Sequence, residues 1–237
     1  MHPTTTRDYE TRTLRMPAGA AVLTGVLTIP AGARGLVLFA HGSGSSRLST
    51  RNRRVAASLQ DGGFGTLLFD LLTPDEEAVD AVSGHLRFDI GLLAGRLASI
   101  TTWIASQPQT AELLVGYFGA STGAAAALVA AAHRPRLVHA IVSRGGRPDL
   151  AGQFLPNVKA PTLLIVGGDD TQVVAMNRSA LEQMTVAAKE LVIVPGAGHL
   201  FEEPGALDQV AELARAWFGR HLGGRASGLK PPSREAL

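Results

Sequence analysis

The sequence predicts an α/β protein whose mostly parallel, doubly wound sheet has about eight strands and no large lid domain. The main observation is that strand-like and helix-like segments alternate from about residue 35 onward, as they do in parallel sheets covered by helices. In addition, the strand-like segments 35–40 and 65–69 are almost continuously apolar, which favours burial on both faces of the sheet. The length of 237 residues fits one such domain.

The elements follow from the N-terminus onward. Segments 10–16 and 21–30 favour extended structure, and the Pro-Ala-Gly between them predicts a hairpin at the sheet edge. The later strands are predicted at 35–40, 65–69, 113–118, 138–143, 161–166 and 191–194, and the helices at 51–60, 88–106, 122–133, 174–184 and 206–221. The loops 71–86 and 145–159 are candidates for small caps. We place one domain at residues 1–222 and predict a mobile, Gly- and Pro-rich tail at residues 223–237.

Composition excludes several classes of protein. The net charge is +2 and the basic residues are scattered, so nothing indicates nucleic-acid binding. The absence of cysteine excludes disulfides, thiolate catalysis and cysteine-ligated metals. The longest unbroken apolar run, 124–132, is shorter than the roughly 20 residues that span a bilayer, and no signal peptide is evident at the N-terminus. We expect a soluble cytoplasmic protein, monomeric or homodimeric, without nucleic-acid or membrane partners.

Ser121 is the candidate nucleophile because it stands at the centre of a G-x-S-x-G pattern formed by residues 119–123. A predicted strand precedes this pattern and a predicted helix follows it, so Ser121 would lie on a sharp strand-to-helix turn. The glycines two residues away on either side have no Cβ to collide where such a turn brings them together. The pattern therefore predicts a serine hydroxyl that is lifted clear of the sheet.

A serine hydroxyl needs a general base, and His199 is the candidate among seven histidines. It follows the last predicted strand in a Gly-rich loop, which can bring the imidazole over the sheet. An orienting carboxylate is expected in segment 167–170, where both Asp169 and Asp170 are available. We prefer Asp170, because the carboxylate of such a triad usually lies in a short loop after this strand. The resulting order of serine, aspartate and histidine is the one that the G-x-S-x-G pattern predicts.

The Gly-rich segment 41–46 follows the predicted strand 35–40 and is the candidate oxyanion loop. Its backbone can offer an N–H group toward the nucleophile, and we favour that of Ser43. The second donor would be the backbone N–H of Thr122, directly after the nucleophile. We interpret His41 as a structural residue that packs under this loop.

These segments resemble the dienelactone hydrolase family of the α/β-hydrolase fold, a compact group without a large lid. The similarity runs from about residue 21 to residue 222, and it is carried by residues 39–44 (FAHGSG), 116–123 (GYFGASTG), 167–170 (GGDD) and 195–199 (PGAGH). The resemblance implies a hydrolase without naming its substrate. The namesake enzymes of the family carry a cysteine at the position of Ser121, so the serine here favours general carboxylic esters over dienelactones.

We therefore expect hydrolysis of carboxylic esters, small or aryl esters and lactones among them, through an acyl-enzyme on Ser121. The partner is a small-molecule ester, and the chemistry implies no cofactor and no metal. An acyltransferase, a thioesterase or a promiscuous organophosphate triester hydrolase are alternatives of the same chemistry. A non-catalytic binding protein is the least favoured, because all the catalytic elements are present.

A group of arginines near the oxyanion loop has two interpretations. Its members are Arg47, Arg51, Arg53 and Arg54, and Arg144 after a central strand could join them. Positive charge at the start of a helix is unfavourable, which hints at a use such as steering an anionic substrate. The simpler interpretation, which we favour, is that these side chains are solvated or paired with acidic residues.

Overall fold

The computed structural model describes residues 9–223, so the predicted tail lies, apart from Gly223, outside the described residues. The strands are β1 (Tyr9–Ala18), β2 (Ala21–Pro30), β3 (Leu36–Ala40), β4 (Gly65–Phe69), β5 (Val115–Ala120), β6 (Val138–Arg144), β7 (Thr162–Gly167) and β8 (Lys189–Val194). The helices are α1 (Thr50–Asp61), α2 (Pro74–Ser83), α3 (Ile90–Ala105), α4 (Thr122–His133), α5 (Thr171–Gln183) and α6 (Ala206–His221). Two 3-10 segments lie at Leu86–Phe88 and Pro148–Asn157.

The eight strands form one sheet in the order β1-β2-β4-β3-β5-β6-β7-β8. The hairpin β1–β2 is antiparallel and pairs antiparallel with β4, whereas β4, β3 and β5 to β8 are parallel. The predicted fold class is thereby confirmed. Since the strand order reverses between β3 and β5, the loops at their carboxyl ends border the crevice where such sheets bind ligands.

Helices cover both faces of the sheet. Phe39 and Phe118 point to the face covered by α1 and α6, and their ring centroids lie 5.0 Å apart. Leu38 and Tyr117 point to the other face, which is covered by α3 and α4. Nearly every residue of α4 is small and buried, which lets this helix approach the central strands closely. Within residues 9–223, no helix has both the length and the apolarity needed to cross a membrane.

One element differs from the predicted order, because the cap candidate 71–86 contains a regular helix, α2. Thr73 caps it in a capping box with Glu76, and Pro74 occupies the first turn. These are ordinary signals of a helix start, so the sequence held the information. The predicted helix at 88–106 correspondingly begins later, at Ile90, with Asp89 as its N-cap.

Candidate active site

Ser121 lies on the turn between β5 and α4 with backbone angles φ 51° and ψ −122°. For a non-glycine residue this conformation is strained by about 1–3 kcal/mol and is often found at functional sites. A Cβ on Gly119 would lie 2.5 Å from Ala124 Cα, and one on Gly123 would collide with the carbonyl oxygens of Ala40 and His41. Both glycines are therefore required for the turn, as the sequence pattern predicts.

His199 and Asp170 meet above the carboxyl ends of β7 and β8. The His199 Nδ1 atom lies 2.7 Å from Asp170 Oδ2. Asp169 takes no part in this contact, and its backbone N–H donates to the Ala197 carbonyl oxygen at 3.0 Å. When Nδ1 donates to a carboxylate, Nε2 is left as the acceptor, which is the tautomer a general base requires.

The end of β6 and the turn after it contact both the Ser121 turn and the His199 loop. The Ser121 N–H donates to the Arg144 carbonyl oxygen at 3.3 Å. A Cβ on the next residue, Gly145, would lie 3.0 Å from the His199 carbonyl oxygen and 3.6 Å from its Cε1. Phe201, two residues after His199, is buried with φ 55°. It is the second non-glycine residue with a positive φ among the described residues, and no sequence pattern indicated it.

The candidate oxyanion loop lies directly against the nucleophile turn. A Cβ on Gly42 would be 3.0 Å from both Ser121 Cβ and the Ala120 carbonyl oxygen. The backbone N–H of Ser43 donates to Thr122 Oγ1 at 2.9 Å. The Ser43 N–H, which we expected to face an oxyanion, is thus donated to the Thr122 hydroxyl instead. Thr122 is also the first residue of α4, where backbone N–H groups have no acceptor within the helix.

His41 fastens this loop to the segment after β4. The Leu71 N–H donates to His41 Nε2 at 3.0 Å, and His41 Nδ1 lies 3.0 Å from the Gly42 carbonyl oxygen. Because Nε2 accepts the Leu71 N–H, it carries no proton, and Nδ1 is the donor to the Gly42 carbonyl oxygen. Burial lowers the pKa of His41, in the direction of this neutral form. This geometry agrees with a structural role for His41.

A cavity of about 570 Å³ is lined by the oxyanion loop and by Thr122, the residue after the candidate nucleophile. The oxyanion loop forms one wall, and α2 with the segment before it forms another, through residues that include Leu72 and Glu77. Burial and the nearby Asp70 carboxylate raise the pKa of Glu77. The cap expected at 71–86 therefore borders the space where a substrate would lie.

The arginines near the loop divide into two kinds. Arg47 pairs with Asp70, Arg51 with Glu202 and Arg54 with Asp208, and Arg53 is exposed. Three of these four arginines are therefore paired with acidic residues and the fourth is solvated, in agreement with the simpler interpretation. Arg144 is different, because it is only 7% exposed and no residue in the range 9–223 pairs with it.

Comparisons with known proteins identify the family of the chain. A family model described as the dienelactone hydrolase family matches residues 23–220. The chain belongs to the dienelactone hydrolase family. It is similar to the crystal structure of a dienelactone hydrolase from Anabaena variabilis, with 60% identity, a TM-score of 0.88 and coverage of 90% of this chain and 98% of that one. This family assignment makes the protein an α/β hydrolase.

Two further relatives extend the comparison. A Mycobacterium tuberculosis protein with the provisional name of a phosphoribosyl transferase is 58% identical over 219 residues, which are 92% of this chain and 47% of that protein. The chain thus spans about half the length of this curated relative. A dienelactone hydrolase-like promiscuous phosphotriesterase from metagenomic libraries is 18% identical, with a TM-score of 0.72 and coverage of 90% of this chain and 98% of that one. At that identity the likeness shows the fold alone.

Proposed function

We propose that this protein is a serine hydrolase that cleaves carboxylic esters through an acyl-enzyme on Ser121. The observation that carries the proposal is the strained backbone of Ser121 at the start of α4, beside an imidazole that contacts Asp170 at 2.7 Å. A positive φ at this turn exposes the hydroxyl. The carboxylate holds the imidazole in the tautomer that accepts a proton.

In the proposed reaction, Ser121 Oγ attacks the ester carbonyl carbon while His199 Nε2 takes the hydroxyl proton. The tetrahedral oxyanion accepts hydrogen bonds from the Thr122 and Ser43 backbone N–H groups, each donor contributing a factor of about 10²–10³ in rate. For the Ser43 N–H to reach the oxyanion, its hydrogen bond to the Thr122 hydroxyl has to become bifurcated, or the Thr122 side chain has to rotate away from it. His199 then gives the proton to the leaving alkoxide, and the acyl group stays on Ser121.

Deacylation repeats these steps with water as the nucleophile. His199 takes a proton from water as the oxygen attacks the acyl carbon, and then returns a proton to Ser121 Oγ as the acid leaves. Small and aryl esters suit a cavity of about 570 Å³, and lactones undergo the same reaction. The expected cytoplasmic location stays a prediction.

The provisional name of the Mycobacterium tuberculosis relative points to a different reaction. This chain matches 47% of that protein, and the matched residues of this chain include the whole candidate site. We propose ester hydrolysis for the shared half.

A panel of p-nitrophenyl esters with increasing acyl length tests the proposal. The wild type is expected to hydrolyse the short esters, and Ser121→Ala to lose about 10⁴-fold or more in kcat while its circular dichroism is unchanged. Ser179→Ala, an exposed serine on α5, is the matched control and should keep full activity. Comparable activity in the Ser121→Ala variant would disprove the role of Ser121.

A further inference from the structure

Arg144 is a buried cation without a counter-charge. Its side chain ends β6, and both Nε and Nη1 are buried without a hydrogen-bond partner. The residue is 7% exposed, and no carboxylate among the described residues pairs with it. Burial, together with the nearby positive charge of Arg51, lowers its pKa to about 10. Arg144 therefore still carries its charge at neutral pH.

The neighbouring Arg51 adds a second charge of the same sign. Its Nε is also buried without a partner, whereas Nη1 donates to Glu202 Oε1 at 2.9 Å. The Glu202 side chain is 65% exposed and forms its ion pair with Arg51, so it leaves Arg144 uncompensated. The charge of Arg51 acts on Arg144, and the two guanidinium groups together have three buried nitrogen atoms without a hydrogen-bond partner.

The backbone of Arg144 lies next to Ser121, and Arg51 borders the cavity. The Arg144 carbonyl oxygen accepts the Ser121 N–H, and the following Gly145 touches the His199 loop. Arg51 lines the cavity that also reaches Ser43 and Thr122. Removing a charged group from water without a partner is strongly unfavourable, and an anion is the ligand that offsets this cost. Planar guanidinium donors match the oxygens of a carboxylate or a phosphate.

We propose that Arg144 and Arg51 form an anion-binding subsite beside Ser121, which takes a carboxylate or phosphate group of the substrate. The role in substrate selection rests on the proposed ester hydrolysis, whereas the binding of an anion does not. The natural substrate is accordingly an ester whose acyl or alcohol part carries a negative charge.

Anion binding can be measured without catalysis, by thermal unfolding in inorganic phosphate or in benzoate, with sodium chloride keeping the ionic strength constant. A ligand that binds only the folded state raises Tm with concentration. We expect this rise in the wild type and in Ser121→Ala, and its loss in Arg144→Met. Arg53→Met, which removes an exposed arginine of the same helix as Arg51, should behave as the wild type. The two anions distinguish phosphate from carboxylate recognition.

The Tm of the Arg144→Met variant without phosphate or benzoate is a second test. Replacing a buried, unpaired charge with an apolar side chain of similar length is often neutral or stabilising, so Arg144→Met should have an equal or higher Tm than the wild type in chloride alone. If Arg144→Met does not fold, Arg51→Met carries the same comparison. A Tm response to phosphate and benzoate that is identical in wild type, Arg144→Met and Arg51→Met would overturn the proposal.

A matched substrate pair then tests selection. The esters are 3-acetoxybenzoate, which carries a carboxylate, and its neutral methyl ester. We expect the ratio of their kcat/KM values to favour the anion in the wild type and to fall by about 10- to 100-fold in Arg144→Met, as for the loss of hydrogen bonds to a charged group. An unchanged ratio would overturn the role in selection and leave the hydrolase proposal standing. No turnover of either ester by the wild type would count against the hydrolase proposal instead.

Discussion

The turn that carries Ser121 and the cap beside the cavity are held in place by different interactions. The turn is fixed by backbone geometry, since Ser121 is strained and its flanking glycines have no room for a Cβ. The cap, formed by α2 and the 3-10 segment Leu86–Phe88, is instead held by side-chain ion pairs. It leaves Val79, Val82 and Phe88 between 56% and 93% exposed. The difference teaches that the position of Ser121 is set by backbone sterics in the sheet, whereas the position of the cap depends on a few side-chain contacts.

The largest expected effect is a loss of kcat near the Ser121 turn, where two neighbouring aspartates can be compared. Asp170→Asn should lower kcat by about 10⁴-fold, because an amide favours the wrong tautomer of His199. Asp169→Asn, the neighbouring control, should cost far less, since Asp169 contacts the Ala197 carbonyl oxygen only through its backbone N–H. Steady-state kinetics on one aryl ester measures both variants. A greater loss in Asp169→Asn would move the carboxylate assignment by one residue.

A smaller effect, on stability, is expected in the cap. Arg96 is buried, pairs with Glu76, and donates to the Leu71 carbonyl oxygen at 2.8 Å. The hydrogen bond from Arg96 lowers the pKa of Glu76 to about 2, against an ordinary value of 4.5. Because the folded pKa is depressed, this pair stabilises the protein above pH 4.5 and its contribution is lost as the pH falls toward 2.

The variant Arg96→Met should therefore lower the free energy of unfolding at pH 7 by about 1–3 kcal/mol. The difference from the wild type should shrink at pH 3, where urea unfolding can be compared with the value at pH 7. Arg54→Met removes an exposed pair with Asp208 and should cost about 0–1 kcal/mol at either pH. A difference for Arg96→Met that does not change with pH would mean that the pairing with Glu76 contributes little.

Features governed by local sterics could be predicted from the sequence. The glycines of the nucleophile turn and the alternation of strands and helices follow rules that involve a few neighbouring residues. Helix α2 was missed although Thr73 and Glu76 form a capping box, because its face toward solvent carries apolar residues and shows no clear period. The burial of Arg144 was not predictable, since it depends on how elements distant in the sequence pack around the end of β6. For the same reason the contact between the Ser43 N–H and the Thr122 hydroxyl could not be foreseen.

The central claim is that Ser121 is the nucleophile, and covalent labelling tests it most directly. A fluorophosphonate reacts with a serine that an adjacent base has activated, and the modified residue is identified by mass spectrometry of the intact protein and its peptides. We predict a single adduct, located on Ser121, and none in the Ser121→Ala variant. An adduct on another residue, or one that persists in the alanine variant, would contradict the assignment.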